Sequence, residues 1–215
     1  MNLALWLCIS LPLLAVCYGL LVWMYPRVKK QYSVIPKCAG SLLCVASAWC
    51  AVMVSGGTPW LHPVVWALFF CVLGDLLIEW NLIAGGLAFA AAHTVLIFWI
   101  FSQGFMHFGS IFVWMVTIVA MCALLRKEVP AMGKMAPLLF LYAMILTGDF
   151  ALAAVLPFLQ GMTYFPLALG LFCFMASDTI LGKEVFGSSS KKNYWSLMAL
   201  YYAALFLISL NLWLS

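Results

Sequence analysis

Apolar runs recur from one end of this sequence to the other, all but a short second one near the roughly 20 residues that a helix needs to cross the hydrocarbon of a bilayer. The runs cover Leu3–Met24, Ala39–Val54, Pro63–Trp80, Leu82–Ser102, Phe108–Leu125, Met135–Leu156, Met162–Leu181 and Tyr194–Leu214. Only 7% of the residues are charged while 67% are hydrophobic. A soluble domain cannot hide that much apolar surface, since roughly a quarter of an ordinary globular chain is charged. Eight crossings use about 160 residues, which leaves a chain of 215 only short connections. The sequence therefore predicts an all-α polytopic membrane bundle of eight transmembrane helices, with residues 1–215 as a single integral membrane domain.

Gly and Pro punctuate the joins at Pro26, Pro36, Gly56-Gly57, Pro59, Pro130 and Gly187. The third and fourth runs are so close that they predict a helical hairpin. In the first run, Leu14-Ala15-Val16-Cys17 looks like a lipoprotein cleavage site. No Lys or Arg precedes its apolar core, however, and Val16 is bulky where a small residue is wanted, so the run is expected to stay as a first span.

The ten Lys and Arg set the direction. Arg27, Lys29, Lys30 and Lys37 fall between the first two spans. Arg126, Lys127 and Lys134 fall between the fifth and sixth, and Lys183, Lys191 and Lys192 between the last two. With eight spans all of them lie on one side, which the positive-inside rule makes cytoplasmic, with both termini non-cytoplasmic. No basic patch is interleaved with aromatics, so nucleic-acid binding has no support. The eight Cys (Cys8, Cys17, Cys38, Cys44, Cys50, Cys71, Cys122 and Cys173) form no CxxC, and most sit in apolar runs as small hydrophobes.

A repeat is visible as well. Phe69-Phe70-Cys71-Val72-Leu73-Gly74-Asp75 in the third span is similar to Phe172-Cys173-Phe174-Met175-Ala176-Ser177-Asp178 in the seventh. Both end in a small residue followed by Asp, as a parallel four-plus-four pseudo-repeat would produce.

Four ionisable residues lie well inside the spans: Asp75, His93, Asp149 and Asp178. A charge at mid-span costs about 2.5–3.5 kcal/mol or more to insert, so such groups face the bundle interior and mark functional sites or pin helices together. Measured from the cytoplasmic ends, Asp75 and Asp178 are about one turn deep, His93 two to three, and Asp149 some four. Asp75, His93 and Asp178 are thus candidates for one cytoplasm-facing cavity that Asp149 does not join. Glu79 shares a helix face with Asp75, and reads as either a solvated helix-end acid or a third carboxylate. His62 and His107 fall in outer loops, which leaves too few convergent ligands for a metal site. No GxSxG elbow points to an acyl-serine mechanism. Gly85, Gly86, Ala88, Ala90 and Ala92 give the fourth span a small-residue face, suited to close packing or to a lipid chain.

These pieces appear in a specific order: Leu73-Gly74-Asp75-Leu76-Leu77, Gly86-Leu87-Ala88-Phe89-Ala90-Ala91-Ala92-His93, Ala176-Ser177-Asp178-Thr179-Ile180-Leu181 and Tyr201-Tyr202. In that order and spacing the chain resembles the lysoplasmalogenase family of membrane proteins, the YhhN-like family, with little of the likeness carried by the first two spans. The resemblance implies a hydrolase that cleaves the vinyl ether bond of a lysophospholipid to a fatty aldehyde and a glycerophospho product. It implies Asp75, His93 and Asp178 as catalytic, with Gly74, Ser177, Tyr201 and Tyr202 supporting the substrate, and neither metal nor cofactor. Which Asp is acid and which is base stays open. Two other classes stand beside it: a proton-coupled transporter using the intramembrane acids, and a metal-dependent membrane hydrolase.

Overall fold

A computed structural model describes residues 3–25, 30–103, 107–187 and 191–214, with the side chains of 30, 31, 191 and 192 left aside. Arg27 and Lys29, counted above among the cytoplasmic cations, and the punctuating Pro26 lie outside the described residues. Among the described residues the structure is helical without strands. The long helices are α1 (Leu3–Met24), α2 (Lys30–Val54), α3 (Pro63–Leu77), α4 (Leu82–Ser102) and α5 (Phe108–Leu125). After the single turn α6 (Val129–Met132) come α7 (Ala136–Leu159), α8 (Phe165–Phe186) and α9 (Lys191–Leu214).

Seven of these segments are long and apolar enough to cross a membrane, and the chain is an integral membrane protein. The exception is α3, whose 15 residues rise about 22 Å against a hydrocarbon thickness of roughly 30 Å. A 3-10 turn at Pro59–Leu61 leads into it.

Six expected boundaries move by three residues or more, three of them near the polar groups. α2 begins at Lys30 instead of Ala39, because Pro36 lies inside the helix and does not end it. A proline removes one backbone donor, and membrane helices re-satisfy the freed carbonyl locally. α3 stops at Leu77, short of Trp80. α8 runs on to Phe186, past Leu181, since the polar residues Lys183 and Glu184 end the apolar run and not the helix.

By contacts the chain falls into two compact units, Met1–Leu96 with Ile208–Ser215, and Ile97–Leu207. In the first, α2 packs on both α1 and α3. Lipid tails are as apolar as leucine, so helices associate through close packing at small residues. Accordingly Ala48 and Ala51 are buried while Leu42, Met53 and Val54 face outward. α2 ends in a Schellman turn: Gly56 takes the left-handed conformation (φ 80°). Its N–H donates to the Met53 carbonyl and that of Gly57 to Val52. In the C-terminal half of α2, Ser47 Oγ accepts from the indole N–H of Trp6 (2.7 Å) and of Trp213 (3.3 Å). The two indoles stack with centroids 6.2 Å apart.

In the second unit α7 packs against α5 and α8. Ala143, Ala151, Ala153, Ala168 and Gly170 are buried in these helices. Phe112, Met115, Val116 and Val119 of α5 are exposed, as a lipid-facing side requires. Gly182 lies against Leu125, and Gly187 beside Glu128. The cationic segments that follow α5 and close α8 therefore share one end of this unit.

Candidate active site

In the first unit the site is built where α3 ends. Gly74 lets α4 approach closely, since a Cβ there would sit 2.8 Å from atoms of the Phe89 ring. Gly85 does the same against Ile78, where a Cβ would come within 2.6 Å of Cα. Asn81 between the helices caps α4, its Oδ1 accepting from Ile83 N–H (2.9 Å) and Ala84 N–H (3.1 Å). The hairpin is thus fixed tightly, and Asp75, beside Gly74, is fully buried.

Two residues of α2 meet Asp75. The hydroxyl of Ser41 donates to Asp75 Oδ2, and the ammonium of Lys37 lies 3.4 Å from Asp75 Oδ1. Lys37 also reaches Glu79 Oε1 at 3.7 Å. Burying an unpaired ion costs several kcal/mol even after relaxation, so each charge here depends on the others. Two expectations change as a result. Lys37 belongs to the interior and not to a cytoplasmic loop, because α2 starts two turns earlier. Glu79 is not a solvated helix-end acid, because its side chain is only 8% exposed and is paired with Lys37.

His93 is buried on α4. Since Gly85 faces Ile78 and Gly74 faces Phe89, residues pair down the hairpin with falling and rising numbers. By that register His93 stands at the level of Phe70 and Cys71, a little over one turn or about 7 Å along the axis from Asp75.

The second unit holds the other acid. Asp178 on α8 is half-buried and accepts at Oδ2 from the phenolic hydroxyl of Tyr142 on α7. Because α8 is longer than expected, Asp178 lies about two turns from the helix end, not one. Ser177, next to it, is buried and donates to the Leu197 carbonyl at 3.0 Å, tying α8 to α9. Tyr201 and Tyr202 are buried as well. Tyr201 meets the Phe174 ring edge-on with centroids 5.4 Å apart, and the two tyrosines lie 6.0 Å from each other. Asp149 is fully buried farther along α7, about two turns from Tyr142.

Three residues outside the expected site thus touch the candidate acids: Lys37 (expected in a loop), Ser41 and Tyr142. One signal was available. Ser33, Lys37 and Ser41 recur every four residues on one helical face, and all three are buried. Treating Pro36 as a break hid the stripe. Tyr142 carried no pattern, being the one tyrosine in an apolar helix.

The outer histidines cap helices. His62 Nδ1 accepts from Val64 N–H at 3.3 Å, and His107 Nδ1 from Gly109 N–H at 3.1 Å. Partial burial holds the His62 imidazole below its ordinary pKa. Among the described residues no group of three or more His, Cys, Asp or Glu is placed to hold a metal ion. None of the eight cysteines is joined in a disulfide.

Units of long apolar helices, each with an Asp that receives a hydroxyl hydrogen from the preceding long helix, define a polytopic membrane protein with carboxylates held inside its helical units. The chain belongs to the YhhN family, the lysoplasmalogenase family, whose match covers residues 32–212. That match begins inside α2 and so takes in the stripe of Lys37 and Ser41, which carried little of the likeness when judged by motif. No curated protein and no solved structure matches the chain.

Proposed function

We propose that this protein is a membrane-embedded hydrolase that cleaves the vinyl ether bond of lysoplasmalogens by carboxylate acid–base chemistry. The observation that carries the proposal is Asp75: a fully buried carboxylate with a hydroxyl donor and an ammonium, in a chain of this family. An enol ether is inert to bases but reacts when its β-carbon is protonated. The π electrons take up the proton as a new C–H bond, and the ether oxygen stabilises the cation left on the α-carbon. Water adds to that carbon and gives up a proton to a carboxylate. The hemiacetal then collapses to the fatty aldehyde and the free glycerol hydroxyl, so one water is consumed and no oxidant is needed.

Asp75 and Asp178 are the proposed carboxylates, each supported within its own unit by its hydroxyl donor. His93, a little over one turn from Asp75 in depth, is the proposed orienting or relaying group. Gly74, Ser177, Tyr201 and Tyr202 are the proposed substrate-binding residues. The substrate is a single-chain lysophospholipid that enters from the bilayer. The cations at one end of the second unit favour its phosphate and the cytoplasmic leaflet, with both termini on the far side.

The test is aldehyde release from a lysoplasmalogen and its saturated ether analogue by purified protein. Wild type is expected to act on the first only, and Asp75→Asn and Asp178→Asn to lose at least ~10²-fold, the usual scale of a lost proton transfer. His93→Ala is expected to be impaired. No aldehyde from wild type, or full activity in both Asp variants, overturns the proposal; proton-coupled flux in proteoliposomes without hydrolysis would identify a carrier instead.

A further inference from the structure

A buried acid that works by proton transfer must be tolerated in two charge states, and the surroundings of Asp75 contain a provision for each. Ser41 is fully buried and its single hydroxyl hydrogen has two acceptors in reach: Asp75 Oδ2, and the backbone carbonyl of Lys37 at 3.3 Å. One hydrogen cannot serve both at once. With Asp75 ionised, the Ser41 hydrogen points at the carboxylate. With Asp75 protonated, the acid O–H can donate to Ser41 Oγ, whose own hydrogen then turns to the Lys37 carbonyl. The hydroxyl only rotates, and no proton passes through it.

The charge is handled in parallel. Lys37 stands between two carboxylates, 3.4 Å from Asp75 and 3.7 Å from Glu79. When Asp75 takes a proton, the ammonium is left paired with Glu79, so the cluster passes from one net negative charge to none. A single carboxylate–lysine pair would instead strand a buried ammonium, which is the costly outcome.

We infer that Ser41, Lys37 and Glu79 form a frame that stabilises Asp75 in both protonation states, with Ser41 as a hydroxyl rotor and Glu79 as the standing counter-ion of Lys37. The inference rests on Asp75 being an acid–base group, as in the proposed function. Other titratable groups near Asp75 are Cys38 and Cys44 of α2, both within its electrostatic reach. From α4, His93 is the titratable residue. The frame accounts for why a lysine and a second acid are kept in an interior where each is costly alone.

The two arms of the frame predict opposite displacements, which a packing role would not produce. In wild-type protein the infrared band of the protonated Asp75 carboxyl, identified by its loss in Asp75→Asn, is followed against pH. Ser41→Ala removes the hydrogen bond to the carboxylate and the weaker one from the protonated acid. The charge-assisted bond is the stronger, so the band should reach half amplitude at higher pH, by up to about one unit. Glu79→Gln removes one of the two carboxylates that share Lys37 and a like charge near Asp75, so the band should reach half amplitude at lower pH. Ser41→Thr keeps a hydroxyl and should hold the wild-type midpoint. Displacements in the same direction, none in either variant, or a Ser41→Thr midpoint matching Ser41→Ala would overturn the frame. Opposite displacements in a protein that releases no aldehyde would keep the frame and remove the hydrolase. Aldehyde release with unmoved midpoints would do the reverse.

Discussion

Tyr142 donates its phenolic hydrogen to Asp178 from one helix to the next in the chain. Ser41 does the same for Asp75 from α2 to α3. Each unit therefore supports its acid from the preceding long helix, at Oδ2, with the Asp following a small residue. The donors themselves differ. Serine suits a fully buried acid in tight packing, while the longer phenol reaches an acid that is only half-buried.

Tyr142→Phe tests the second of these contacts with almost no change of shape. A hydrogen bond to a charged group contributes about 1.5–3 kcal/mol, which converts to a roughly 10–10²-fold loss if it acts in the rate-limiting step. The expected outcome is such a fall in aldehyde release with the melting temperature in detergent nearly unchanged. Wild-type rates in Tyr142→Phe would make the contact purely structural.

Ser47 joins three helices of the first unit by accepting from Trp6 and Trp213. Ser47→Ala deprives both indoles of that acceptor, and an unsatisfied buried donor costs about 1–3 kcal/mol. The variant is expected to melt at a lower temperature while retaining the infrared signature of Asp75. Ser47→Cys, which keeps a weak acceptor, should fall between the two.

His62 should make stability depend on pH. Its neutral Nδ1 caps α3, and burial lowers its pKa in the folded state. The unfolded chain therefore takes up the proton first. The contribution is complete above the ordinary histidine value of about 6.5 and is lost as pH falls from there through the lower folded value. His62→Asn retains a capping acceptor but does not titrate. Melting temperatures measured from about pH 7 down to pH 5 should drop less in the variant; parallel curves would place the acid sensitivity elsewhere.

The bounds of α1, α4 and α5 were legible to the residue in the sequence, because a lipid environment writes itself directly into composition: a helix in hydrocarbon must be apolar along its length. The acids and the imidazole were legible for the same reason, since an ionisable residue stands out in an apolar run. Their partners were not. Lys37 resembled one more loop cation until α2 proved to continue through Pro36, and Glu79 looked solvated until Lys37 covered it.

What the sequence determined alone is the class of protein and which residues are expensive to bury. What the tertiary structure decided is how two of those expenses are met: a lysine set between two carboxylates, and hydroxyls aimed at Asp75 and Asp178. The division has a physical cause. Hydropathy is a property of each segment and can be summed along the chain. Compensation of a buried charge depends on atoms about 3 Å away, and residues that are 34 apart in sequence, as Ser41 and Asp75 are, become neighbours only when helices pack.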